Sequence, residues 1–172
     1  GGEFCVSPVE GDELIVEYQE PADASFSGKI AIAEINHDYR GLFRAGTRFN
    51  QINLPCIPDI SCNNTYDSIS GSVCLLLING STYCTGVLVN NTNNDGKPYL
   101  LTASHCLKNN PALGQRTVVF LNYQSPNCNK KIRGSEEFSL SGSITRALSN
   151  EVDFALLELN EIPPADYRPY LA

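Results

Sequence analysis

Val73-Cys74-Leu75-Leu76-Leu77-Ile78-Asn79-Gly80-Ser81-Thr82-Tyr83-Cys84-Thr85-Gly86-Val87-Leu88-Val89 reads as a β-hairpin. Two strand-length runs, Val73–Ile78 and Thr82–Val89, flank Asn79-Gly80. Asn-Gly tolerates the positive φ that a type I′ turn demands at both central positions, and the twist of that turn matches the strands it joins. The same pattern continues downstream. Asn93-Asn94-Asp95-Gly96 leads into the apolar Tyr99–Thr102. Thr117–Tyr123, Glu137–Leu140, Ser143–Leu148 and Val152–Leu159 follow as further strand-length runs. Upstream, Leu14–Tyr18 and Lys29–Ile35 read as two more, separated by the turn-rich Pro21–Gly28. Helical periodicity is scarce, and the one helix predicted is a short turn starting near Ala103. Short strands with tight turns at regular spacing indicate an all-β protein, an antiparallel barrel or sandwich.

The 172 residues are 42% hydrophobic and 18% charged. That is enough apolar material for the core of one domain and excludes wholesale disorder. The formal charge is −7, and the only basic cluster is Lys130, Lys131 and Arg133, which argues against nucleic acid as a partner. The longest strongly apolar run, Val73–Ile78, is far shorter than the roughly 18 residues of a membrane-spanning helix, so no membrane partner is expected. The chain opens Gly1-Gly2-Glu3-Phe4, without Met or a signal-type apolar region, and is expected to be processed, trimmed or excised from something longer.

Charge and cysteine both divide the chain. Residues 1–50 hold nine acidic and four basic residues; residues 51–172 hold ten and eight. Only Cys5 precedes Cys56. A boundary near Phe49–Pro55 follows, with a β-rich leading segment over 1–50 and the main barrel over 51–172. The leading segment is too short to bury much core alone and is expected to pack on the barrel or to end a preceding domain. Cleavage near Arg44 or Arg48 would make it the end of a propeptide that shields the cleft. Seven cysteines, none spaced C-x-x-C, with two histidines, speak against a zinc cage and for a disulfide framework, hence secretion. Seven is odd, so one cysteine is left to be free or to pair elsewhere.

Chemistry concentrates in two segments. In Leu100-Leu101-Thr102-Ala103-Ser104-His105-Cys106 a buried strand ends in small polar residues, a histidine and a cysteine. A histidine at such a junction can face a cleft on a rigid backbone, and Cys106 can staple that turn to Cys84, 22 residues earlier, closing a loop worth about 3 kcal/mol in the chain-entropy model. The plainer reading is an exposed histidine beside a structural disulfide. In Val152-Asp153-Phe154-Ala155-Leu156-Leu157-Glu158-Leu159 a carboxylate opens an apolar strand, where burial calls for a partner. Alone, Asp153 reads as a turn cap; with His105 in the same chain, it reads as the histidine's partner.

Together these segments resemble trypsin-like serine peptidases, specifically the bacterial lysyl endopeptidase branch. Cys84-Thr85-Gly86-Val87-Leu88-Val89-Asn90-Asn91-Thr92 with Thr102-Ala103-Ser104-His105-Cys106 is similar to the family's C-T-G-x-L-V-N-N-T … L-T-A-x-H-C block. Asn122-Tyr123-Gln124 with Cys128 is similar to N-Y-Q-x-x-x-C, and Asp153–Asn160 to D-F-x-L-L-E-L-N. The resemblance runs from about Cys56 to Asn160. It implies the first of the two antiparallel barrels of the chymotrypsin-like fold, His105 as general base and Asp153 as its orienting carboxylate. It also implies disulfides Cys84–Cys106 and Cys62–Cys128, with Cys56 left unpaired because its partner lies in a second barrel. Cys5 and Cys74 have no counterparts in the family and are expected to pair with each other.

The nucleophile is the departure. In the family it follows the aspartate within Gly-x-Ser-Gly, yet no serine follows Asp153 here. Ser141-Gly142-Ser143 precedes Asp153 where the family has an ordinary strand, and Ser104 adjoins the histidine rather than coming from elsewhere in the fold. The chain alone is therefore expected to be inactive, the serine, oxyanion hole and specificity pocket belonging to a second barrel supplied in cis or as a separate chain. The resemblance implies a secreted bacterial endopeptidase acting on protein or peptide substrates, with no cofactor and no metal. The alternative is a non-catalytic interaction module that keeps one barrel of the fold. Asn63, Asn79 and Asn90 head N-x-S/T sequons, and His37 reads as a surface-loop residue.

Overall fold

The computed structural model describes residues 2–38, 59–128 and 134–167. Its strands are β1 (Val73–Ile78), β2 (Thr82–Val89), β3 (Tyr99–Thr102), β4 (Thr117–Leu121), β5 (Ser139–Ser141), β6 (Ser143–Ser149) and β7 (Phe154–Leu159). All pairings are antiparallel, in the order β5-β4-β1-β2-β3-β7-β6. The hairpin turns at Asn79-Gly80, both with positive φ.

The two strands at the ends of this order, β5 and β6, are consecutive in the chain, with only Gly142 between them. Gly142 takes φ +77. Its N–H donates to the Thr117 carbonyl (2.8 Å), and its carbonyl accepts from the Asn160 N–H (3.2 Å). A single bent strand thus joins the β4 edge to the β7 edge and closes an all-β barrel of the chymotrypsin type. Closure removes the exposed edges that an open sheet would leave.

Strand alternation sorts the side chains. Cys74, Leu76 and Ile78 point into the barrel, where they meet Leu88, Leu100, Val119, Leu121 and Leu157. Gly86 supplies room there: a Cβ would stand 2.6 Å from Leu100 Cδ2 and 3.2 Å from Leu76 Cδ1. The opposite face of β1 and β4 carries a second cluster, Leu77, Val118 and Phe120, against which Cys5, Leu75 and Tyr123 pack. Strand β4 is buried along its whole length, which explains its uninterrupted apolar run.

The leading segment departs from expectation. Leu14–Tyr18 and Lys29–Ile35 form no strand. Ile15 is 90% and Ile35 76% exposed. Their residues have strand character, but a strand also needs a neighbouring backbone, and neither finds one among the described residues. The segment is nevertheless tied to the barrel. The Cys5 N–H donates to the Gln115 carbonyl, and the Ser7 hydroxyl meets those of Ser139 (2.8 Å) and Ser141 (3.1 Å). Arg116 bonds Glu3 through Nη2, and through Nη1 reaches Asn79 Oδ1 (2.7 Å) and Glu34 (3.5 Å).

Disulfides join Cys62 to Cys128 and Cys84 to Cys106. The expected Cys5–Cys74 bond is corrected: both are free thiols. Cys74 belongs to the barrel interior, whereas Cys5 packs on the outer cluster, so the sheet stands between them. Burial pushes the Cys74 thiol up to about 12. Cys56, the boundary near Phe49–Pro55, Arg44, Arg48 and the Lys130–Arg133 cluster lie outside the described residues.

Candidate functional site

Pairing register brings the two chemical segments together. Antiparallel β3 and β7 place Thr102 opposite Ala155. Two residues further along the same register, Ser104 comes level with Asp153. The β2–β3 register, with Val87 opposite Leu101, likewise brings Cys84 level with Ser104, so that Cys84 can bond Cys106. The Thr102 hydroxyl donates to the Thr85 carbonyl (2.9 Å) and ties the end of β3 to β2.

Beyond β3 the chain makes one 3-10 turn, Ser104–Leu107. Residues three apart eclipse in such a turn, which turns Ser104 and Leu107 inward together. Cys106 is buried as well, while His105 projects outward with its side chain 70% exposed. Lys108 and Asn109 leave the turn in left-handed conformation. The histidine is thus an exposed ring on a backbone pinned by a disulfide, a buried leucine and a sheet.

Asp153 ends the four-residue connection between β6 and β7, one residue before the strand begins. It is not the buried strand opener expected from the sequence. Its φ is +49, a region that Asp tolerates better than most residues, and its side chain is 51% exposed. Hydrogen bonds, not burial, define its environment. Oδ1 accepts from the Ser104 hydroxyl (3.0 Å) and the His105 backbone N–H (3.0 Å); Oδ2 meets His105 Nδ1 at 2.7 Å. The backbone and ring N–H groups of His105, with Ser104, hold the Asp153 carboxyl down at about 2. It is therefore ionised at neutral pH and can only accept, so Nδ1 carries the hydrogen and a neutral ring keeps its lone pair on Nε2.

The other serines considered from the sequence are engaged elsewhere. Ser141, in β5, bonds Ser7, and the buried Ser143 donates to the Gly114 carbonyl (2.8 Å). His37 is exposed in the leading segment. The potential ligand atoms of Cys84, His105 and Cys106 lie within 4.8 Å of one another. The two sulfurs are bonded to each other, so neither is available as a thiolate ligand. An apolar cavity of about 580 Å³ lies by Ile60, Tyr66, Ile69, Val73 and Leu88, and neither His105 nor Asp153 lines it. The role missed in the sequence is that of Ser104 as a partner of Asp153. Its only signal was the register of two strands more than 50 residues apart.

The family model for the C-terminal domain of lysyl endopeptidase matches residues 52–172. A lysyl endopeptidase of Pseudomonas aeruginosa is 26% identical over 175 residues, covering 92% of this chain. The chain spans 38% of that protein's length.

Proposed function

This chain belongs to the lysyl endopeptidase C-terminal-domain family, and on that premise we propose that it carries two members of a serine endopeptidase triad, His105 as general base and Asp153 as the carboxylate that orients it. The observation that supports this reading is the 2.7 Å contact between His105 Nδ1 and Asp153 Oδ2, on a carboxylate with two further donors. That contact fixes the tautomer in which Nε2 can take a proton from a serine hydroxyl as it attacks a peptide carbonyl. The same ring then gives that proton to the leaving amine, while Asp153 stabilises the imidazolium in between. His105 and Asp153 are both accessible to a partner surface and to substrate.

No serine follows Asp153, and the hydroxyls of Ser104, Ser141 and Ser143 have other partners. On the triad reading, the nucleophile, the oxyanion donors and the pocket that would select lysine are supplied by a second barrel, in cis or as a second chain. The paired cysteines favour an oxidising, extracytoplasmic setting. A second reading is an interaction module that retains the barrel without catalysis.

The complete protein assayed on lysyl and arginyl peptide amides separates the two. A peptidase hydrolyses the lysyl substrate and loses on the order of 10³-fold or more in kcat in the His105→Ala variant. Absence of hydrolysis leaves the interaction module, and hydrolysis undiminished in that variant rejects the assignment of His105 as general base.

A further inference from the structure

We propose that Ser104 is the positioning residue of the His105–Asp153 pair: its hydroxyl fixes the carboxylate orientation from which Oδ2 meets His105 Nδ1. This rests on reading the pair as part of a peptidase triad. Asp153 sits at the end of a turn with its side chain half exposed, so packing does little to choose its rotamer. Its donors choose it instead. Of the three, His105 Nδ1 is the group being oriented and cannot also be the reference. The other two, the His105 backbone N–H and the Ser104 hydroxyl, both converge on Oδ1 at 3.0 Å. A carboxylate on one donor can pivot about that bond; one whose Oδ1 is gripped from two directions presents Oδ2 in a fixed place.

Ser104 suits this role because it is itself fixed. It is only 1% exposed, on a turn pinned by the Cys84–Cys106 disulfide, and a buried hydroxyl needs a partner, which Asp153 provides. Its hydroxyl hydrogen points to Oδ1 whether His105 is neutral or protonated, so Ser104 exchanges no proton during turnover. With that hydrogen committed to Asp153, Ser104 is a support of the pair, not a nucleophile.

The test compares Ser104→Ala, which removes the donor, with Ser104→Thr, which keeps it. Carbon-detected NMR of the Asp153 carboxyl follows its titration, which lies at about 2 in the wild type. We expect Ser104→Ala to raise that midpoint by about half a unit to one unit, to speed exchange of the His105 Nδ1 proton several-fold, and to lower kcat of the complete peptidase by roughly three- to ten-fold with KM unchanged. Ser104→Thr restores all three. An unchanged Asp153 midpoint and unchanged Nδ1 exchange in a folded Ser104→Ala protein overturn the proposal, and this remains decisive if the threonine variant does not fold. Hydrolysis undiminished by His105→Ala would sink the triad reading alone, because the titration reports on Ser104 without any turnover.

Discussion

Asp153 holds its proton less readily in the folded protein than in the unfolded chain, about 2 against roughly 3.9. The direction of its effect on stability follows. Its contribution is fully present above the unfolded value and is lost as pH falls through the folded one. Asp153→Asn should therefore flatten the dependence of the urea midpoint on pH between about 4 and 2, leaving the slope due to other carboxyls. An unaltered slope would mean that the three donors do not favour the ionised form. On the triad reading, the same variant of the complete protein should reduce kcat by on the order of 10³–10⁴-fold, because an amide offers its NH₂ or its oxygen to Nδ1 without holding the required tautomer. Among single residues, His105 was legible in the sequence because a histidine between a strand end and a cysteine is an unusual combination. The exposure of Asp153 was not, because an apolar strand written after it looks the same whether the carboxylate is inside or just beyond the strand.

At the scale of elements, the barrel depends on one bend. Gly142 lets a continuous strand serve two edges, at φ +77. A Cβ there would meet Asn160 Nδ2 at 2.5 Å, at the movable end of a side chain, so the strain is chiefly in the backbone. Gly142→Ala should cost about 1–2 kcal/mol in urea unfolding. Gly96→Ala is the natural comparison, since Gly96 has φ +74 and open space around it. If the two substitutions cost the same, the bend contributes only conformational strain. A larger loss at Gly142 would show that barrel closure is coupled to it. The two disulfides act on the unfolded chain, with separations of 22 and 66 residues corresponding to about 3 and 4 kcal/mol.

Across the whole molecule, the described part of the leading segment shares no strand with the barrel and is held by the packing of Cys5 and a few polar contacts. Arg116 is the chief of these, since it bonds Glu3, Glu34 and Asn79 at once. Exposed ion pairs add little to global stability but can hold a segment in place. Arg116→Met keeps the aliphatic stem and removes the three bonds. It should make the leading segment several-fold more sensitive to limited proteolysis while barely moving the unfolding midpoint of the barrel. Equal cleavage rates in the two proteins would show that the Ser7 and Cys5 contacts suffice.

The sequence by itself determined where the strand-length runs of the barrel lie and where the hairpin turns. Strand alternation, Asn-Gly at a turn and a cysteine beside a histidine are local facts, carried by residues that lie next to one another in the chain. β1, β2 and β3 accordingly fall where their residues predict. Tertiary structure alone decided which runs become strands, since Lys29–Ile35 has the same local character as Val73–Ile78 but no neighbouring strand among the described residues. It decided that Cys5 and Cys74 face opposite sides of a sheet, which no spacing records. It also placed Ser104 against Asp153, through a register between strands that only folding sets side by side. Local preference is a property of neighbours in sequence. Pairing, sidedness and register belong to residues made neighbours by folding.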